Sequence, residues 1–113
     1  MSQECIFDKI VKKESPAEIE YEDADVMAFW DVAPKAPTHI LIIPKKHIES
    51  IDHITEEDLP LLGKMIMAAK KVAEKKGLTT DGYKLVINNG PGVGQTVPHL
   101  HMHLLGGKRM GEV

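Results

Sequence analysis

Cysteine, clustered basic residues and long apolar runs are all scarce in this chain, and each shortage excludes a class of protein. Cys5 is the one cysteine among 113 residues. One thiol cannot build an intrachain disulfide framework, and it agrees with a reducing compartment. Lysine and arginine total 14 against 17 acidic residues, for a formal net charge of −3. Basic residues so scattered offer no concentrated face to a nucleic-acid backbone. No apolar stretch approaches membrane length, and Met1-Ser2-Gln3-Glu4 lacks the basic-then-apolar layout of a secretion signal. Internal repeats and low-complexity segments are missing too. These absences leave one domain over residues 1–113, expected in the cytoplasm and without nucleic-acid or membrane partners.

What the chain does have is an ordered run of histidine. In Pro98-His99-Leu100-His101-Met102-His103-Leu104-Leu105, every second residue is an imidazole and the residues between are apolar. An extended strand points successive side chains to opposite faces. His99, His101 and His103 are therefore expected on one face, with Leu100, Met102 and Leu104 anchoring the other. Alternate positions lie roughly 6.6 Å apart and the outer pair roughly 13 Å. Zinc bonds imidazole nitrogen at about 2.0–2.1 Å, so three alternate histidines on a straight strand do not share one ion. The spacing fits an elongated ligand, with a different task at each ring.

The rest of the chain supplies the frame. Cys5 to Lys13 reads as a short amphipathic helix ended by Ser15-Pro16, with Ile6, Phe7, Ile10 and Val11 on one side. Ile19 to Glu22 and Val26 to Trp30 form a hairpin around an acidic turn. Asp31 follows, either as a turn residue or as a carboxylate able to accept from two ligand hydroxyls. Beyond the stiff loop Ala33-Pro34-Lys35-Ala36-Pro37, His39 opens the run Ile40-Leu41-Ile42-Ile43. Its lack of polar alternation predicts a central strand buried on both faces. Thr55 with Glu56, Glu57 and Asp58 caps the main helix, whose start Pro60 can shift. Leu59, Leu62, Ile66, Ala69 and Ala73 are its expected buried stripe, and Lys75-Lys76-Gly77 ends it. Tyr83 to Asn88 is a fourth strand, and the glycine-dense loop from Asn88 to Gly94 leads into the histidines. This order predicts an α+β fold: a sheet of about five antiparallel strands, one long helix and one short N-terminal helix.

The triad, preceded by Gly94-Gln95-Thr96-Val97 and followed by Leu104-Leu105-Gly106-Gly107, resembles the histidine triad (HIT) family of nucleotide hydrolases and transferases. Ala36-Pro37-Thr38-His39 and Ile43-Pro44-Lys45-Lys46-His47 resemble its nucleoside phosphoramidase branch. The similarity runs from about Ile6 to Gly107. It implies a HIT-like fold, a homodimer, and hydrolysis of a nucleoside 5′-phosphoramidate, expected to be adenosine-based, through a nucleotidyl-histidine intermediate. A neutral imidazole attacking phosphorus splits one hard displacement into two milder ones. The resemblance implies His101 as nucleophile, His99 and His39 as the rings that orient it, and His103 at the phosphate or scissile bridge. It places Asn88, Gly94, Gln95 and Thr96 at the phosphate and Asp31 at the ribose. Ile6, Phe7 and Ile10 fall where the base is sandwiched, with Phe29, Trp30 and Val32 beside Asp31.

The scheme needs neither cofactor nor metal. Some relatives bind zinc through Cys-x-x-Cys and two histidines; the matching residues here are Cys5, Asp8, His47 and His99, with aspartate replacing the second cysteine. The tail Lys108 to Val113 also departs, lacking the aromatic and proline of similar phosphoramidases. Two other readings stay open, a dinucleoside polyphosphate hydrolase on the same fold and a non-catalytic purine nucleotide-binding or scaffold protein.

Overall fold

The computed structural model describes residues 5–112. Five antiparallel strands form one sheet: β1 (Ile19–Glu22), β2 (Val26–Trp30), β3 (Thr38–Pro44), β4 (Lys84–Val86) and β5 (Met102–Gly106), in the order β1-β2-β3-β5-β4. A short helix, α1 (Ile6–Val11), and a long one, α2 (Leu59–Lys75), complete the α+β architecture expected above. Among the described residues, no helix is long and apolar enough to cross a membrane.

β3 is central and buried along its whole length, as its unbroken apolar run requires. Ile40 and Ile42 face α2, packing with Val26, Ala28, Met102 and Leu104 against Met65, Ala69 and Val72. Leu41 and Ile43 face the other way, with Met27 and Phe29 against Phe7 and Ile10 of α1. Small residues at Ala68, Ala69 and Ala73 are buried on the sheet-facing side of α2.

Two expectations need correction. The buried stripe of α2 is Met65, Ala68, Ala69, Val72 and Ala73, while Leu59 and Ile66 point outward, 60% and 52% exposed. Two apolar stripes at helical spacing overlap in this segment, so periodicity alone could not choose between them. The sheet takes the one with the smaller residues. A 3₁₀ turn (Glu56–Asp58), closed by a Thr55–Asp58 capping box, precedes α2. Pro60 thus falls in the first turn, where its missing N–H has no carbonyl to meet.

The second correction concerns the histidine run. β5 begins only at Met102, so His99 and His101 precede the strand. The β3–β5 ladder pairs Leu41 with His103 and Ile42 with Met102, and extending it would bring Leu100 opposite Pro44. Pro44 has no N–H to give. Leu100 N–H instead donates to Ile48 C=O at 2.6 Å, and the chain leaves the ladder. Alternation survives without the strand: Leu100, Met102 and Leu104 remain in the core beneath α2.

Gly106, opposite Thr38 at the end of β5, tests how tightly this end is held. A Cβ there would lie 2.8 Å from Leu78 Cδ1 and 2.9 Å from Cδ2, on a buried side chain. Gly106→Ala is expected to destabilise the protein by about 1–3 kcal/mol in denaturant unfolding. Unchanged stability would show that Leu78 has room to yield.

Candidate active site

The face of the sheet away from α2 carries the candidate site. His39 on β3 and His103 on β5 are diagonal neighbours, because His39 is opposite Leu105 and His103 opposite Leu41. His39 Nε2 lies 2.9 Å from His103 Nδ1 and 3.5 Å from Asp31 Oδ2. The other nitrogen of His39, Nδ1, accepts the main-chain N–H of Lys35 at 3.0 Å. The His101 ring sits 5.1 Å from the His103 ring, centroid to centroid. Its Nδ1–H donates to His99 C=O at 2.7 Å, so the neutral ring keeps its lone pair on Nε2.

A cleft of about 660 Å³ opens over His101 and His103. Ile6, Phe7, Ile10, Phe29 and Trp30 give it an apolar wall, with Asp31, fully exposed Val32, Gly94 and Thr96 at its margin. Phe7 meets both Phe29 and His101 edge-on. Asp31 Oδ1 accepts the N–H of Ala33 at 2.8 Å. Most residues expected at the site from the sequence are thus brought together. The reading missed Pro16, Ala17, Glu18, Pro34, Leu41 and Val97, which also line the cleft. Leu41 was recoverable, since it shares its strand face with His39; the loop residues carry no periodic signal.

Four expected residues sit differently. His39, expected to orient His101, bears on His103 instead. His99 is fully buried behind the cleft and is not part of its lining. Gln95 turns its amide into the loop, donating to Glu49 C=O at 2.7 Å and accepting from Gly90 N–H at 2.8 Å. The main-chain N–H groups of Gly94 and Gln95 bond Pro91 and Gly90 carbonyls. Asn88 donates to Val93 C=O at 2.9 Å and lies against Gly94, whose φ of +105° favours glycine. Gln95 and Asn88 therefore shape the loop, leaving Thr96 as the polar side chain of this segment at the cleft.

A second cluster gathers Cys5, Asp8, His47 and His99, whose ligand atoms all lie within 4.8 Å of one another. His99 Nε2–H donates to Pro44 C=O at 2.9 Å, which leaves Nδ1 facing Cys5 Sγ at 3.4 Å and Asp8 Oδ1 at 3.3 Å. His47 Nδ1 is 2.9 Å from Asp8 Oδ2. With protons alone, the thiol donates to His99 and His47 donates to Asp8. Burial pushes the Cys5 thiol up; Asp8 is held down, against burial, by hydrogen bonds from Cys5 and His47. One divalent ion can replace both protons, and a thiolate, a carboxylate and two imidazoles are donors that zinc takes. The outward carbonyl bond of His99 is the usual support for a metal-binding imidazole. The residues fit such an ion, which would tie α1 to the loop after β3 and to the segment entering β5.

The HIT domain model matches residues 12–110, and the chain belongs to that family. It is 48% identical over 111 residues to the purine nucleoside phosphoramidase of Escherichia coli, covering 98% of this chain and 93% of that one. It is 52% identical over 110 residues to an uncharacterized HIT-like protein of Synechococcus elongatus, covering 97% and 96%. Among solved structures, a HIT family hydrolase from Clostridium thermocellum superposes with a TM-score of 0.95 at 48% identity, covering 100% and 98%.

Two tests follow from the site itself. Burial, and then the neighbouring His101 and His39 rings, pulls His103 from its ordinary 6.5 down to about 4, against the pull of Asp31; Lys35 adds to the depression. Burial also lowers His39. Between about 4 and 6.5 the unfolded chain then binds protons that the native one refuses, so stability rises with pH there and is lost as pH falls. The melting temperature is expected to drop by several degrees from pH 7 to 4.5, and His103→Asn to flatten that slope. An equally steep slope in the variant would assign the effect elsewhere. Cobalt(II) titration is expected to give a thiolate-to-metal band saturating at one equivalent and absent in Cys5→Ser. A spectrum without that band at every ratio would exclude the metal site.

Proposed function

We propose that the protein hydrolyses purine nucleoside 5′-phosphoramidates, with adenosine as the expected nucleoside, to the nucleoside monophosphate and an amine. The observation that carries this reading is the His101 ring, whose Nδ1–H is committed to a carbonyl while the ring lines an apolar cleft. Likeness to the phosphoramidase of E. coli supports the substrate class.

In the first step His101 Nε2 attacks phosphorus. A new phosphorus–nitrogen bond forms as the bond to the leaving amine breaks, and the amine nitrogen, held by a hydrogen bond from His103 Nε2–H, takes its proton from a solvent water. In the second, water attacks the nucleotidyl-histidine, gives up a proton to solvent, and releases the monophosphate with His101 restored. His39 holds the His103 ring from behind, and His99 holds His101 through its carbonyl. Thr96 donates to the phosphate. The carboxylate of Asp31 accepts from the ribose hydroxyls, and Phe7, Ile6, Ile10, Phe29, Trp30 and Val32 enclose the base. The cleft lies within the roughly 300–1,000 Å³ typical of small-molecule sites.

The protein is expected to act as a homodimer. Apolar Leu59, Ile66 and Met67 on α2, with Leu85 on edge strand β4, are exposed in the single chain and await cover.

His101→Ala is expected to lose phosphoramidase turnover by about 10⁴-fold or more, as removal of a covalent nucleophile does, while still binding the monophosphate. Activity of the native protein should persist in excess chelator. Adenosine and guanosine phosphoramidates assayed beside dinucleoside polyphosphates identify the substrate class. Near-normal turnover by His101→Ala would remove the nucleophile from this scheme.

A further inference from the structure

Asp31, His39 and His103 also form a group whose ligand atoms lie within 4.8 Å of one another. Two imidazoles and a carboxylate beside an open cleft fit either a metal site or a chain of hydrogen-bond donors. Composition does not decide between them; the proton positions do. A neutral imidazole carries one N–H, and the partner of one nitrogen fixes the state of the other.

Lys35 supplies that partner. Its main-chain N–H can only donate, and it points at His39 Nδ1 from 3.0 Å. His39 Nδ1 must therefore be unprotonated, which puts the ring proton on Nε2. Nε2–H then faces His103 Nδ1 at 2.9 Å and donates to it. His103 Nδ1 is an acceptor in turn, so the proton of that ring sits on its Nε2. A ring lining the cleft is thereby loaded as a donor. A metal at His39 Nε2 would need the proton moved to Nδ1, where it would collide with the Lys35 N–H, donor against donor.

We infer that the main-chain N–H of Lys35 is the positioning group that sets the tautomers of His39 and His103, leaving the Nε2–H of His103 as a hydrogen-bond donor toward the cleft and denying Asp31, His39 and His103 to a metal. Its value for catalysis rests on the phosphoramidase reading; the tautomer assignment itself does not. The loop around it is built to hold that N–H still. Pro34 and Pro37 stiffen it, Ala33 N–H is bound by Asp31, and Lys35 Nζ donates back to Ala33 C=O at 3.1 Å. The Lys35 side chain thus turns to the loop, and the backbone reaches the ring.

Two-bond ¹H–¹⁵N spectra of histidine-labelled protein, assigned with a His39→Asn variant, read the tautomers directly. The native protein at pH 7.5 is expected to show His39 and His103 both protonated on Nε2. A His39 signal protonated on Nδ1 would overturn the inference, whatever the enzyme assays give. Lys35→Pro removes the N–H and Lys35→Ala keeps it. On a phosphoramidate substrate, Lys35→Pro is expected to lower kcat about tenfold or more with little change in KM, while Lys35→Ala stays within about threefold. Equal losses in the two variants, with unchanged tautomers, would assign Lys35 a side-chain role and overturn the proposal. Where Lys35→Pro does not fold, the native and Lys35→Ala spectra decide. Absence of phosphoramidate turnover beside the expected spectra would refute the proposed function and leave the tautomer assignment standing.

Discussion

Every imidazole around the cleft surrenders one ring nitrogen, and that constraint organises the site. His99 gives Nε2 to Pro44 C=O, and His101 gives Nδ1 to His99 C=O. His39 gives Nδ1 to Lys35 N–H, and His103 gives Nδ1 to His39. Three of the four partners are main-chain groups, whose positions follow from the backbone path rather than from side-chain rotamers. The pairing of β3 with β5 is in turn pinned by Ile40, Ile42, Met102 and Leu104 beneath α2. A slip of one residue would bury the histidines and expose those anchors, so hydrophobic burial on one face enforces chemical order on the other.

The short helix α1 joins packing to function more directly. Six residues are too few to be stable as an isolated helix. It persists because Phe7 and Ile10 bury against Phe29, Leu41 and Ile43, and because Cys5 and Asp8 form a reciprocal cap at its start. The same Phe7 walls the cleft and touches His101, and the same cap supplies two donors of the second cluster. Loosening the cap therefore loosens the wall over the His101 ring. Asp8 completes the cap with Cys5 and pairs with His47 at the same time.

Much of this arrangement was legible from the residues. β1 and β2 were readable as a hairpin, and β3 as a strand buried on both faces, because period-2 and unbroken apolar patterns have few competing explanations. The order of histidine and apolar residues fixed which side of the chain entered the core. Where the ladder stopped was not readable, since it depends on Pro44 of one strand meeting Leu100 of another, a tertiary event with no local mark. Nor was the direction of the Gln95 amide, which was expected at the phosphate yet is held by Glu49, Gly90 and Val97. The stripe on α2 failed for a different reason, because two apolar faces compete there and the sheet selects between them.

Two clusters each hold two histidines and an acid, the first with the Cys5 thiol besides, and their rings are oriented in opposite senses. At His99 the external partner is a carbonyl, an acceptor, so the ring proton is drawn outward and the lone pair is left facing Cys5 and Asp8. At His39 the external partner is an amide, a donor, so the lone pair is drawn outward and the proton is left facing His103 and Asp31. A cation is welcome in the first arrangement and repelled from the second. The first cluster offers four donors including a thiol, the second three. The polarity of the main-chain group behind each ring decides whether the cluster is met by a lone pair or by an N–H.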